Sequence, residues 1–168
     1  ILSRAMDEAR AMGLEYRVGP ELEFFLFGTD ESGAPIPGAT HDEAGYFDLT
    51  ADRGALVRDD MITALEPFGI AVEAGHHEVA NGQHEIDFRY SHALSAADHA
   101  VTFKYVLKAI AQRNGIYATF MTKPIRAING SGMHVHMSLS NKDKNAFYDP
   151  NEKWGLSEMA MNLYLIHI

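Results

Sequence analysis

The chain has 168 residues, 46% of them apolar, no cysteine, and a formal net charge of −9 from 23 acidic against 14 basic residues. That length and apolar fraction support one domain with a real core and argue against disorder. The missing cysteines exclude disulfides and thiolate-ligated zinc, and the acidic balance argues against nucleic acid as a partner. No apolar run is long enough to cross a bilayer and no signal-peptide pattern opens the chain, so the expectation is a cytoplasmic protein with no membrane partner.

The chain begins on Ile1 inside a helical pattern, with Leu2, Met6, Ala9 and Met12 inward and Gly13 as the stop. "YRVGPELEFFLF", Tyr16 to Phe27, predicts a strand rich in aromatic and branched residues. Residues 28–50 carry repeated glycine and proline and predict a long loop. Asp52 is a candidate cap for a helix running to about Phe68, closed by Gly69. "IAVEAGHHEV" and "QHEIDFRY" predict two strands joined at Asn81-Gly82, a hairpin signal. Ser95 to Asn114 predicts a long amphipathic helix, with Leu94, Ala97, Val101, Tyr105 and Ile110 as its apolar stripe. "IYATFMTKP" and "GMHVHMSL" predict two further strands. Strands outnumber helices and hairpin links dominate, so the fold class is α+β: an antiparallel sheet with helices packed on one side.

Three β segments carry the chemistry. Glu21 and Glu23 are two apart in a strand, so both project from one face. The "FFLF" that follows marks a covered, central strand, and carboxylates on such a strand need a cation; the plainer alternative is the solvent face of an edge strand. Glu78 and Glu85 flank the Asn81-Gly82 turn, where paired strands share a face; the alternative is a polar hairpin with incidental histidines. "HHE" is not a zinc-protease helix, because Asn81 stands where the second histidine belongs. In "NGSGMHVHMSL", His134, His136 and Ser138 share a strand face behind Gly130 and Gly132, which permit close backbone approach to a ligand. Asn129-Gly130-Ser131 has the form of a glycosylation sequon, but no secretory feature accompanies it. Four carboxylates and few histidines favour Mg²⁺ or Mn²⁺ over zinc, and two such ions could clamp a phosphate in in-line transfer. No Walker-type phosphate loop, calcium loop or Gly-x-Ser-x-Gly elbow is present.

"GPELEFFLF", "HHEVANGQHEIDFRY" and "NGSGMHVHMSL" together resemble the central part of the catalytic domain of glutamine synthetase, class I, the bacterial and archaeal type. The resemblance runs from about Leu14 to about Met161. It implies a partial barrel-like active-site sheet and ATP-dependent ligation of ammonia to glutamate through γ-glutamyl phosphate. By motif it implies Glu23, Glu78 and Glu85 as ligands of a first metal and Glu21 and His134 as ligands of a second. Asn129 and Gly130 match the substrate-glutamate loop, and Glu73, Tyr90, His136 and Ser138 match nucleotide contacts. Mg²⁺ or Mn²⁺, ATP, glutamate, ammonia and a homo-oligomer of double hexameric rings are the implied cofactors and partners.

The expected domain content is residues 1–168 as a partial catalytic domain, without the N-terminal β-grasp domain and the C-terminal part, so that the isolated piece is inactive. The tail "NLYLIHI" departs from the glycine-bearing helix that the resemblance implies there. Two other readings share the motifs: a γ-glutamyl-amine ligase of the same family, and a non-catalytic assembly module that keeps the fold.

Overall fold

The computed structural model describes residues 1–142 and 144–163; the unusual end of the tail lies outside them. Two compact units make up the chain: Pro20–Arg89 with Asp98–Val135, and Ile1–Gly19 with Tyr90–Ala97 and the chain from His136 onward. In chain order the elements are α1 (Leu2–Ala11), β1 (Glu15–Thr29), β2 (Pro35–Thr40), α2 (Ala55–Leu65), β3 (Val72–His77), β4 (Gln83–Phe88), β5 (Ser91–His92), α3 (Ala93–Arg113), β6 (Ile116–Thr119), β7 (Met133–Asn141), β8 (Lys144–Asn145) and α4 (Glu158–Leu163).

In the unit that holds residues 20–89, β1 is the central strand. It pairs antiparallel with β4, β2 and β6, and β3 adds to the far side of β4. The even positions Leu22, Phe24 and Leu26 are buried on one face of β1 and meet Ile86 and Phe88 of β4. Val57, Met61 and Leu65 of α2 and Phe103, Leu107 and Ala111 of α3 cover that face at steps of four. Phe88 and Phe103 sit with ring centroids 5.5 Å apart. Each such large side chain contributes about 1.5–3 kcal/mol on burial. The helices of this unit thus lie on one side of its sheet, and the odd positions of β1 are left for the other face. There Phe25 and Phe27 make a smaller apolar cluster with Ala80, Ile125 and Ile128.

In the other unit β5 pairs with the start of β1, at Arg17↔His92 and Val18↔Ser91. β8 pairs with the end of β7, at Ser140↔Asn145. Ser157 accepts the Ala160 N–H at 3.2 Å at the start of α4 and donates to the Ala146 carbonyl at 2.7 Å, anchoring that helix.

Several elements differ from the sequence expectation. Residues 28–50 are not all loop, because β2 pairs with the end of β1 there. Asp52 does not cap α2; the helix starts at Ala55 behind Gly54, and the Asp52 carboxylate pairs instead with Arg58 at 2.8 Å. Strand β6 is four residues long rather than nine. On α1 Met6 is buried, but Met12 lies past the last turn and is exposed. On α3 Leu94, Val101 and Tyr105 are exposed, and the core stripe is Ala96, Phe103, Leu107 and Ile110. Two neighbouring stripes of that helix are apolar, and periodicity alone does not rank them. Among the described residues, no helix is long and apolar enough to cross a membrane.

Candidate metal and nucleotide sites

Strand register gathers the acidic residues. Glu21 lies opposite Asp87 and Glu23 opposite Glu85 across β1 and β4, while His76 of β3 lies opposite Glu85 from the other side. These positions occupy the face of the sheet away from the helices. His134, near the start of β7, brings Nδ1 to 3.6 Å from Glu21 Oε2. Glu78 follows β3 directly; its N–H donates to the Gln83 carbonyl at 2.7 Å, and its Oε1 lies 3.5 Å from His76 Nδ1. All five residues expected to hold metal therefore belong to one compact unit.

Glu85 sits among like charges on this face. Glu85 is only 6% exposed. Burial, followed by the neighbouring Asp87, Glu78 and Glu23 carboxylates, pushes its pKa up to about 8. Asp87 Oδ1 is buried with no donor. Among the described residues no lysine or arginine forms an ion pair with Glu23, Glu78 or Glu85. A set of inward carboxylate oxygens in this state fits a hard dication such as Mg²⁺ or Mn²⁺, and Asp87 joins the expected ligands as a further oxygen at the same face.

The glycine loop is stitched to this face. A Cβ on Gly130 would collide with the Thr122 carbonyl oxygen, and Ser131 N–H donates to that oxygen at 2.9 Å. Glu23 N–H donates to the Gly132 carbonyl at 3.3 Å. Gln83 Nε2 donates to Glu23 Oε2 at 2.6 Å and to the Gly130 carbonyl at 3.0 Å. Asn129 stands exposed at the head of this loop.

The expected nucleotide contacts divide. Tyr90, His136 and Ser138 line one cavity of about 470 Å³, together with Arg17, Gly19 and Asn145. Its size is ordinary for a small-molecule site. The strand pairing that carries Gly19 past Tyr90 is tight, since a Cβ on Gly19 would lie 3.3 Å from Tyr90 Cβ. Arg17 Nε is buried there with no acceptor, although another nitrogen of the same guanidinium reaches Glu15 at 3.3 Å. Glu73 belongs to the other unit, on β3, where Arg89 Nε lies 3.8 Å from its carboxylate.

The family profile described as "Glutamine synthetase, catalytic domain" matches residues 1–164. The chain belongs to this family. It is 56% identical over 161 residues to the glutamine synthetase of Clostridium saccharobutylicum, covering 95% of this chain and 36% of that protein. It is 51% identical over 164 residues to the glutamine synthetase of Thermus thermophilus, covering 96% of this chain and 36% of that protein. Among solved structures it resembles the Plasmodium falciparum glutamine synthetase, with TM-score 0.84, 27% identity, 95% of this chain and 37% of that one. A GmaS/ADP complex matches with TM-score 0.77 and 32% identity, over 95% of this chain and 37% of that one. The chain thus has the α+β fold of this catalytic domain, and it spans about a third of the length of the curated relatives it matches.

A second polar cluster of this glutamine synthetase domain was not visible as a unit in the sequence. Asp42, Asp52, His77 and His84 come within metal-ligand reach of one another. Their charges are already matched. Asp42 accepts from His77 Nε2 at 2.9 Å, Gly82 N–H at 3.0 Å, Arg53 N–H at 3.1 Å and Gly54 N–H at 3.3 Å. His77 Nδ1 faces the Glu78 carbonyl at 2.7 Å, so both ring nitrogens meet acceptors, an arrangement that favours the imidazolium form. Burial alone would lower the His77 pKa, but its bonds to Asp42 and the Glu78 carbonyl raise it.

Arg58 supplies the second cation, bonding Asp52 at 2.8 Å and His84 Nδ1 at 2.9 Å. An arginine only donates, so His84 Nδ1 is bare and its proton is on Nε2. Burial, then the charges of His77 and Arg58, lower the His84 pKa to about 3. Two carboxylates face two protein cations, and the cluster has no place for a dication. It is a strut behind Glu78 and Gly82.

Proposed function

We propose that this chain is the central part of a longer polypeptide that makes glutamine from glutamate and ammonia, using ATP. The reading rests on the family and on one observation above all: Glu23 and Glu85 face each other across the middle of the sheet, and among the described residues no lysine or arginine forms an ion pair with either. Glu23, Glu78 and Glu85 would hold one Mg²⁺ or Mn²⁺, and Glu21 with His134 would hold a second. Once bound, such ions neutralise charge on phosphoryl oxygens and lower the barrier to transfer by several kcal/mol.

The residues of this chain do the rest by placement. Tyr90, His136 and Ser138 bound the nucleotide cavity, and Arg17, with Nε lacking an acceptor, supplies a donor for an anionic group there. Asn129 and Gly130 present backbone and amide groups to glutamate beside Glu23. The γ-carboxylate of glutamate is a poor electrophile until phosphorylated. The resulting acyl phosphate must meet the amine before water, which calls for a site closed by other parts of the protein. Assembly as a homo-oligomer and a place in the cytoplasm belong to the same proposal.

The test is an assay of the full-length protein with ATP, glutamate, Mg²⁺ and either ammonia or a larger amine. Phosphate release and glutamine formation with ammonia are expected. Release only with the larger amine would replace the acceptor, and release with neither would remove the ligase reading.

A further inference from the structure

We propose that Gln83 is a positioning residue that couples metal binding at Glu23 to the conformation of the glutamate loop. The inference rests on the proposed function for the identity of the two ligands and goes beyond it in naming what joins them. Gln83 is 1% exposed and starts β4, two residues before Glu85. Its backbone holds the connection that carries Glu78: the Glu78 N–H donates to its carbonyl at 2.7 Å, and its own N–H donates to Ala80 at 3.0 Å. Its side chain divides one amide nitrogen between two acceptors, Glu23 Oε2 at 2.6 Å and the Gly130 carbonyl at 3.0 Å. A single residue is thereby bonded to one metal-side carboxylate, to the segment of a second, and to the loop expected to receive glutamate.

The chemistry of the amide suits this position. Both acceptors need hydrogens, and an amide nitrogen has two. The reversed amide would set its oxygen against a carboxylate and a carbonyl, so the acceptors fix which way the group points. Lysine would place a cation where the carboxylates await a metal, and glutamate would add one more negative charge. Glu23 has its Oε2 committed to Gln83, and Oε1 lies against the glycine loop, 3.0 Å from where a Cβ on Gly132 would stand. A shift of this carboxylate on metal binding is passed to Gly130 through Gln83 and to Gly132 through the Glu23 N–H, which donates to it at 3.3 Å. The coupling is reciprocal: glutamate that settles the loop also settles Glu23 and tightens metal.

The experiment uses the full-length protein and its Gln83→Met variant, which keeps an unbranched side chain and removes both donors. Calorimetric Mn²⁺ titrations are run with and without glutamate, and the KM for glutamate is measured. The expected result is an Mn²⁺ affinity about tenfold weaker, a raised glutamate KM, and loss of the tightening of Mn²⁺ by glutamate that the parent shows. A folded variant with a lower melting temperature but unchanged linkage would overturn the proposal. Glu23→Gln separates the two levels. If it weakens Mn²⁺ while Gln83→Met does not, the coupling fails and the metal site stands; if it changes nothing, the metal site fails and takes the coupling with it. Hydrogen exchange on the parent protein serves if the variant does not fold: Mn²⁺ alone should slow exchange at the amides of residues 130–132, and no change there would overturn the coupling.

Discussion

The Asp42 carboxylate and the His77 imidazole meet at 2.9 Å with side chains 1% and 3% exposed, one residue before a proposed metal ligand. The carboxylate also accepts three backbone N–H groups, from Arg53, Gly54 and Gly82. Removing it leaves a buried imidazole and three backbone donors, two of them buried, without their acceptor. Asp42→Ala is expected to cost about 3–5 kcal/mol, read as a loss of melting temperature in the full-length protein.

The same pair sets a pH window. For Asp42 burial acts to raise the pKa, but the hydrogen bond and charge of His77 outweigh it and hold the group well below its ordinary 3.8. Its contribution is present above 3.8 and is lost as pH falls through the depressed value. His77 is raised above its ordinary 6.5, so its contribution is complete below 6.5 and is lost as pH rises through the raised value. The melting-temperature gap between the parent and Asp42→Asn should be widest between those two ordinary values, and a gap flat with pH would contradict the pairing.

Glu85 behaves in the opposite sense. With its pKa raised from 4.5 to about 8 in the metal-free fold, the native state holds a proton that the unfolded chain gives up. Metal-free protein should therefore lose stability as pH rises from 4.5 towards 8. Mn²⁺ should restore it, and restore more at the alkaline end. Glu85→Gln should stabilise the metal-free form at alkaline pH by on the order of 1 kcal/mol, or ~3 °C, and abolish most of the gain from Mn²⁺. A variant that keeps the full Mn²⁺ gain would show that Glu85 is not a ligand.

Arg17 is the test of the nucleotide cavity. Its bond to Glu15 at 3.3 Å is exposed and contributes little. Arg17→Ala should leave the melting temperature within a degree or two while raising the KM for ATP about tenfold, as expected for loss of one hydrogen bond to a charged group. An unchanged KM would move the nucleotide elsewhere.

Gly130 gives a steric prediction. A methyl at this position meets the Thr122 carbonyl, which is backbone and cannot swing away. Gly130→Ala should raise the glutamate KM severalfold or more, with a stability loss of about 1–3 kcal/mol.

Much of the fold was legible because period and face are local properties. "ELEFFLF" alternates, and the strand it forms sends Leu22, Phe24 and Leu26 to the helices and Glu21 and Glu23 to the other face. The shared face of the proposed metal residues was legible for the same reason, and the family resemblance joined segments that spacing could not. What escaped was long-range pairing. Asp52 has the form of a cap, yet Arg58 claims it, and nothing local says so. The stripe of α3 was misplaced because burial depends on which sheet the helix meets. Gln83 gave a weak signal, a polar residue beside a turn, and only its two acceptors, from segments 60 and 47 residues away, disclose its place.

Gly82 is held on both sides: its N–H by Asp42 at 3.0 Å, its carbonyl by the Leu26 N–H at 2.8 Å. Its φ of +65° and the nearness of the Leu26 oxygen leave no room for a side chain. Val79 and Asn81, just before it, face solvent. The tip of this hairpin is therefore half anchored and half free. Extra residues added at Val79 would loop outward and leave the bond from the Gln83 N–H to the Ala80 carbonyl in place. A lineage could lengthen the connection there, or an engineer could attach a reporter, and leave the carboxylates where they are.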